Sequence, residues 1–92
     1  MATAKNSGSH KLSTMAAAGK KFAIVVSRYH EELTTELHDG AVKTLEKLGA
    51  KTADIFTAWV PGSFEIPLAA RALSQLDEYD AIICLGIIIK GD

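Results

Sequence analysis

The chain is organised around one octapeptide, Val60-Pro61-Gly62-Ser63-Phe64-Glu65-Ile66-Pro67. Pro61 lacks an N–H and Gly62 tolerates backbone angles closed to other residues, so the pair ends the strand-like segment before it. Ser63 reads as the N-cap of a following helix, its hydroxyl accepting from a free first-turn amide. Pro67 falls in or near that first turn, where a missing N–H does least harm. The result is a strand-to-helix turn carrying unpaired amides and the Glu65 carboxylate, suited to a ligand with hydroxyls or partial negative charge. The same residues also read as a plain βα connection in which Glu65 favours the positive end of a helix. Most such turns bind nothing, and local chemistry leaves both readings open.

Two other segments carry groups of interest. Tyr29 follows Ser27-Arg28 at the end of an apolar run and presents a flat aromatic face, or else packs as a partly buried strand-end ring. Ile87-Ile88-Ile89-Lys90-Gly91-Asp92 ends another apolar run, with Lys90 readable as a solvated charge. Outside the first 20 residues the histidines are His30, near Tyr29, and His38, which is expected on a helix surface away from any crevice. The single cysteine, Cys84, lies in an apolar run and reads as core packing.

These groups need elements to hold them. The first strand is Phe22 to Val26, short, β-branched and expected to be buried on both faces. A helix follows from Glu31, with Leu33, Leu37, Ala41, Thr44 or Leu45, and Leu48 on its core side and Gly49 as its stop. Gly40 is an uncomfortable residue inside it and hints at close packing. Lys51 to Trp59 reads as a second strand, and Ile66 to Gln75 as a second helix facing inward through Ile66, Ala69, Ala70, Leu73 and Leu76. Ala81 to Ile89 is the third strand. The order β-α-β-α-β predicts an α/β three-layer sandwich with a parallel sheet, flavodoxin-like, in strand order 2-1-3 with one helix on each face. A ligand crevice is expected at the carboxyl ends of the strands, where Ser27–His30, Val60–Glu65 and Ile87–Asp92 converge.

Composition bounds the rest. The chain has 92 residues and a net charge of -1, which describes one small domain with no basic surplus for nucleic acid. A hydrophobic share of 48% with 23% charged residues fits a globular chain. No apolar run reaches the roughly 18 residues of a membrane span. One cysteine cannot form an internal disulfide, which suits a reducing, cytoplasmic setting. Met1 to Lys20 lacks acidic residues and any apolar period, and is expected to be a disordered leader or tag outside the fold; its composition leaves organelle import open.

From Phe22 to Asp92 the chain resembles lumazine synthase. The specific marks are the octapeptide and Cys84-Leu85-Gly86-Ile87-Ile88-Ile89-Lys90-Gly91-Asp92; the aromatic after Ser27-Arg28 and the Asp39-Gly40-Ala41 step are weaker ones. The resemblance implies a transferase of riboflavin biosynthesis. That family condenses 5-amino-6-ribitylaminouracil with 3,4-dihydroxy-2-butanone 4-phosphate to 6,7-dimethyl-8-ribityllumazine, with no metal or redox cofactor. It further implies that Tyr29, where the family more often has Phe or Trp, stacks on the pyrimidine ring. Ser63, Phe64 and Glu65 would hold the ribityl chain, Ile87, Ile88 and Ile89 would line the heterocycle, and Gly91 and Asp92 would begin the phosphate-binding loop. The family's proton-transfer histidine falls beyond Asp92, so no catalytic residue is assigned within these residues, and His30 has only its position in favour of a substitute role.

A second reading is an assembly or scaffold module, since the family forms homopentamers and, in some members, icosahedral shells. A third, a flavodoxin- or receiver-like domain, is disfavoured because a receiver needs acidic residues where Ser27 and Gly86 stand. The 92 residues by themselves are expected neither to fold stably nor to catalyse, because the third strand would be an open, apolar edge.

Overall fold

A computed structural model of the chain describes residues 15–88. Its centre is β1 (Phe22–Ser27), all six residues of which are buried. β1 is hydrogen-bonded in parallel on both sides, to β2 (Ile55–Val60) and to β3 (Ala81–Leu85), giving the order β2-β1-β3. Residues in register across a parallel ladder point the same way. Ile24 therefore shares a face with Thr57 and Ile83, whereas Val25 shares the other with Ala58 and Cys84.

One helix covers each face. On the first, α1 (Glu31–Lys47) sets His38 against Thr57 and Trp59, while Leu45 and Leu48 pack around Phe22 and Ala50. On the second, α2 (Ile66–Ser74) approaches Gly86 through Ile66, and Tyr79 beyond it stacks on Phe56 at 6.2 Å. At the far end of the sheet the Lys21 and Asp80 segments are tied twice. Lys21 N–H donates to the Asp80 carboxylate at 2.7 Å, and Asp80 N–H donates to the Lys21 carbonyl at 2.8 Å. The α/β order, parallel sheet and 2-1-3 arrangement expected from the sequence are those observed.

The details differ in instructive ways. The buried residue of α1 is Thr34, and Leu33 and Leu37 are 47% and 45% exposed. The inward stripe is thus Thr34, His38, Ala41, Leu45 and Leu48, rotated by about one position early in the helix. Thr34 fits because its hydroxyl donates back into its own turn, at 3.3–3.4 Å from the Glu31 and His30 carbonyls, leaving no polar atom unpaired. Gly40 does not mark close packing: a Cβ there would meet nothing within 4 Å. Gly49 does end α1, at φ 104°, with Ala50 N–H bonded to Leu45 O and Gly49 N–H to Glu46 O, a Schellman pair.

Strand lengths also change. Thr52–Asp54 forms a 3₁₀ turn, so β2 starts only at Ile55, and β3 ends at Leu85. Cys84 is exposed, not core, as it lies on β3, the outer strand of the described sheet. The turn Met15–Gly19 belongs to the packed unit, although its composition suggested a leader. Ala17 is 3% exposed against Phe22 and Ala50, and its N–H donates to Leu48 O at 2.8 Å. Residues 1–14 of the expected leader lie outside the described residues.

Candidate ligand-binding cleft

A parallel sheet aims the carboxyl ends of all its strands the same way, so whatever follows β1, β2 and β3 meets at one end. There Tyr29, Pro61, Gly62, Ser63, Phe64, Ile87 and Ile88 line an open cleft of about 350 Å³. Each wall is positioned by specific bonds.

The Tyr29 wall leaves β1 through Arg28, whose N–H donates to Val60 O at 2.7 Å and carries the β1–β2 ladder one step further. Tyr29 N–H then donates to Ser27 Oγ at 3.1 Å. His30, the residue before α1, sits in the left-handed region at φ 57°, ψ 57°, and makes no side-chain cap. Its carbonyl accepts from Leu33 and Thr34 N–H at 3.0 Å, and its ring meets Tyr29 edge-on at 4.5 Å. Tyr29 is half exposed and lines the cleft. Arg28 itself is occupied elsewhere, pairing with Glu31 at 3.2 Å and lying 5.3 Å from the Trp59 ring centre.

The second wall is the octapeptide. Ser63–Glu65 is a short 3₁₀ turn leading into α2, whose N-cap position is Glu65. Ser63 therefore does not cap α2, contrary to the sequence reading: its hydroxyl donates across the cleft floor to Ile87 O at 3.4 Å. The intervening 3₁₀ turn moves the start of α2 past it. Glu65 does not line the cleft either. Its carboxylate folds back to accept Gly62 N–H at 2.9 Å, while Glu65 N–H donates to Gly62 O at 3.2 Å, so it braces the turn. Phe64 stands 96% exposed at the rim.

The third wall, Ile87 and Ile88, follows Gly86. That glycine lets the walls close, because a Cβ on it would lie 2.9 Å from both Ser63 Oγ and Ile66 Cδ1. Of the residues singled out by sequence, Tyr29, Ser63, Phe64, Ile87 and Ile88 are thus brought together, and Glu65 stands behind the turn. Ile89, Gly91 and Asp92 lie outside the described residues. Pro61 and Gly62, read only as strand breakers, contribute surface of their own.

His38 is not the surface residue expected. It is largely buried, with Nε2 2.8 Å from Thr57 Oγ1, Nδ1 3.1 Å from Asp39 Oδ1, and its ring against Trp59. An apolar partner in sequence could not have signalled this, since Thr57 is reached only through the α1–β2 packing. It ties helix to sheet away from the cleft. Among the described residues no group of three or more His, Cys, Asp or Glu is placed to hold a metal ion, and no helix is long and apolar enough to cross a membrane.

The cleft thus offers an aromatic face, aliphatic walls, and backbone groups with one hydroxyl at its floor. Such a lining accepts a flat ring edged with polar atoms and bearing a polar chain. The model of one protein family, 6,7-dimethyl-8-ribityllumazine synthase, matches residues 19–92, which include every wall of this cleft.

Proposed function

Because the chain belongs to the 6,7-dimethyl-8-ribityllumazine synthase family, we propose that the cleft binds 5-amino-6-ribitylaminouracil for condensation with 3,4-dihydroxy-2-butanone 4-phosphate. The product is 6,7-dimethyl-8-ribityllumazine, formed with loss of phosphate and water and without a metal or redox cofactor. The observation that carries the reading is the convergence of Tyr29, the Ser63–Phe64 turn and Ile87–Ile88 around one cleft of about 350 Å³. Tyr29 stacks on the pyrimidine. Ile87 and Ile88, continued by Ile89, pack along the heterocycle while their backbone groups read its polar edges. Ser63 and Phe64 hold the ribityl chain, with Glu65 fixing their turn through its bond from Gly62 N–H. Gly91 and Asp92 begin the segment that meets the phosphate.

The described cleft provides binding groups; the side chain nearest to an acid–base role is His30, whose ring is set against Tyr29. We therefore assign binding to these residues and expect no turnover from the 92 residues alone. Titration calorimetry with ribitylaminouracil tests this directly. Glu65→Ala and Tyr29→Ala should each weaken binding, the first by on the order of 1–3 kcal/mol as the charge-assisted bond that braces the Gly62–Ser63 turn is lost. Unchanged affinity in Tyr29→Ala would remove the substrate assignment.

Assembly into a homo-oligomer, pentameric or larger, is part of the same proposal. Leu33 and Leu37 on α1, Leu68 and Leu76 around α2, and Phe56 on β2 are all exposed apolar side chains that a neighbouring copy would cover. Light scattering of the purified chain decides this, and a monomer at all concentrations would refute it. A cytoplasmic location is proposed on the same footing.

A further inference from the structure

We propose that Ser27 is a positioning residue for ligand recognition, acting through Tyr29; the inference rests on the reading of the cleft given above. Ser27 ends β1 with 0% exposure, on the same face as Val25, which is equally buried and apolar. Its place in the sheet alone does not call for a hydroxyl. The hydroxyl has one described role, accepting the Tyr29 N–H at 3.1 Å.

That bond is one of three constraints on adjacent residues. Arg28 N–H is held by Val60 O at 2.7 Å, and His30 is held left-handed at φ 57°, ψ 57° with its carbonyl taking two amides of α1. A left-handed histidine is uncommon and persists where its surroundings over-determine it. The backbone on both sides of Tyr29 is therefore pinned, although the residue is 51% exposed at a strand tip. The His30 ring, edge-on at 4.5 Å and 83°, then limits the directions open to the Tyr29 ring. A ring held flat before the ligand arrives loses less freedom on binding, so preorganisation appears as affinity.

A bond that merely satisfied a turn amide would act in the same way whatever side chain stood at 29. A bond that aims the ring matters to the ligand only while the ring is present. The two roles therefore separate in a double-mutant cycle. Ribitylaminouracil is titrated into the full chain as wild type, Ser27→Ala, Tyr29→Ala and the double variant. Ser27→Ala should weaken binding roughly three- to tenfold, the scale of one net hydrogen bond. The double variant should bind within about twofold of Tyr29→Ala. Equal further loss in the Tyr29→Ala background, or no loss in Ser27→Ala alone, overturns the positioning role while leaving the cleft reading intact. Wild-type affinity in Tyr29→Ala overturns the cleft reading, and the positioning role with it.

Hydrogen exchange supplies a ligand-free check. Ser27→Ala should speed exchange of the Tyr29 amide about tenfold while leaving those of Ile24 and Val25 unchanged. A matching rise at all three amides would mean that the hydroxyl serves global stability, and would also overturn the proposal.

Discussion

Replacing Gly86 by alanine places a methyl group where the cleft has no room for one. The new Cβ would stand 2.9 Å from Ile66 Cδ1 and 2.9 Å from Ser63 Oγ, with Ser27 Cβ at an ordinary 3.7 Å. Carbon atoms pack best at about 3.5–4.0 Å, so both close neighbours must move. The Ile66 methyl is the end of a two-torsion side chain and can swing away for about 0.5–1.5 kcal/mol of off-rotamer strain. Ser63 Oγ can move only by turning about its first torsion, which gives up its 3.4 Å bond to Ile87 O. That bond is long, and its loss costs about 0.5–1.5 kcal/mol. The two contributions predict a destabilisation of about 1–3 kcal/mol. Urea unfolding followed by Trp59 fluorescence measures it, and ribitylaminouracil titration should show weaker binding because two cleft walls separate. Adding Ser63→Ala removes one of the two clashes and should recover part of the stability. A Gly86→Ala chain with an unchanged midpoint, or a double variant less stable than the single, would refute this account.

Gly40→Ala should instead stabilise the chain by about 0.5–1 kcal/mol, since α1 gains a better helix former where a Cβ meets nothing; a loss in the unfolding midpoint would reveal an unseen neighbour. Thr57→Val strips the His38 Nε2 of its 2.8 Å partner and should cost about 1–3 kcal/mol, an effect that should largely vanish in a His38→Ala background. His30→Val puts a β-branched residue in the left-handed region and should cost about 1–2 kcal/mol, read as a lower thermal midpoint; no change would mean that the turn can relax to another conformation.

Legibility in the sequence followed the range of the forces involved. Phe22–Val26 and Ala81–Leu85 were readable because a β-branched run leaves few alternatives to a buried parallel strand. The convergence of Tyr29, Ser63 and Ile87 followed from topology, since three parallel strands must end together. What escaped was decided by tertiary contacts. Apolar period put Leu33 and Leu37 inward, but Thr34 satisfies its own hydroxyl and takes the buried place. Cys84 looked like core because its run is apolar, yet its strand stands at the edge of the described sheet. Ala17 carries too small an apolar surface to be noticed in a leader-like stretch, and only its contacts with Phe22 and Ala50 reveal it. Glu65 was legible as important to the octapeptide but not as the brace of Gly62, a contact that needs the 3₁₀ turn.

The central place of β1 bears on how the chain reaches this state. Every strand pairing among the described residues includes β1, with Phe22 matched to Ile55 and to Ala81. The separations are 33 and 59 residues (55 − 22 and 81 − 22), so no pairing is local and neither can form without closing a long loop. Loop-closure entropy favours the shorter closure by only about 0.5 kcal/mol. That small bias has β2 zip onto β1 first, with α1 already available to nucleate locally between them. β3 then docks as the last strand, and Ile87 and Ile88 arrive with it. Partial folding thus produces two walls and no cleft, so competence to bind arises at the final step of assembly. Mutations confined to β3, such as Ile83→Val, should accordingly speed unfolding more than they slow folding. A chevron in which Ile83→Val slows folding as strongly as Ile24→Val would place β3 in the nucleus instead.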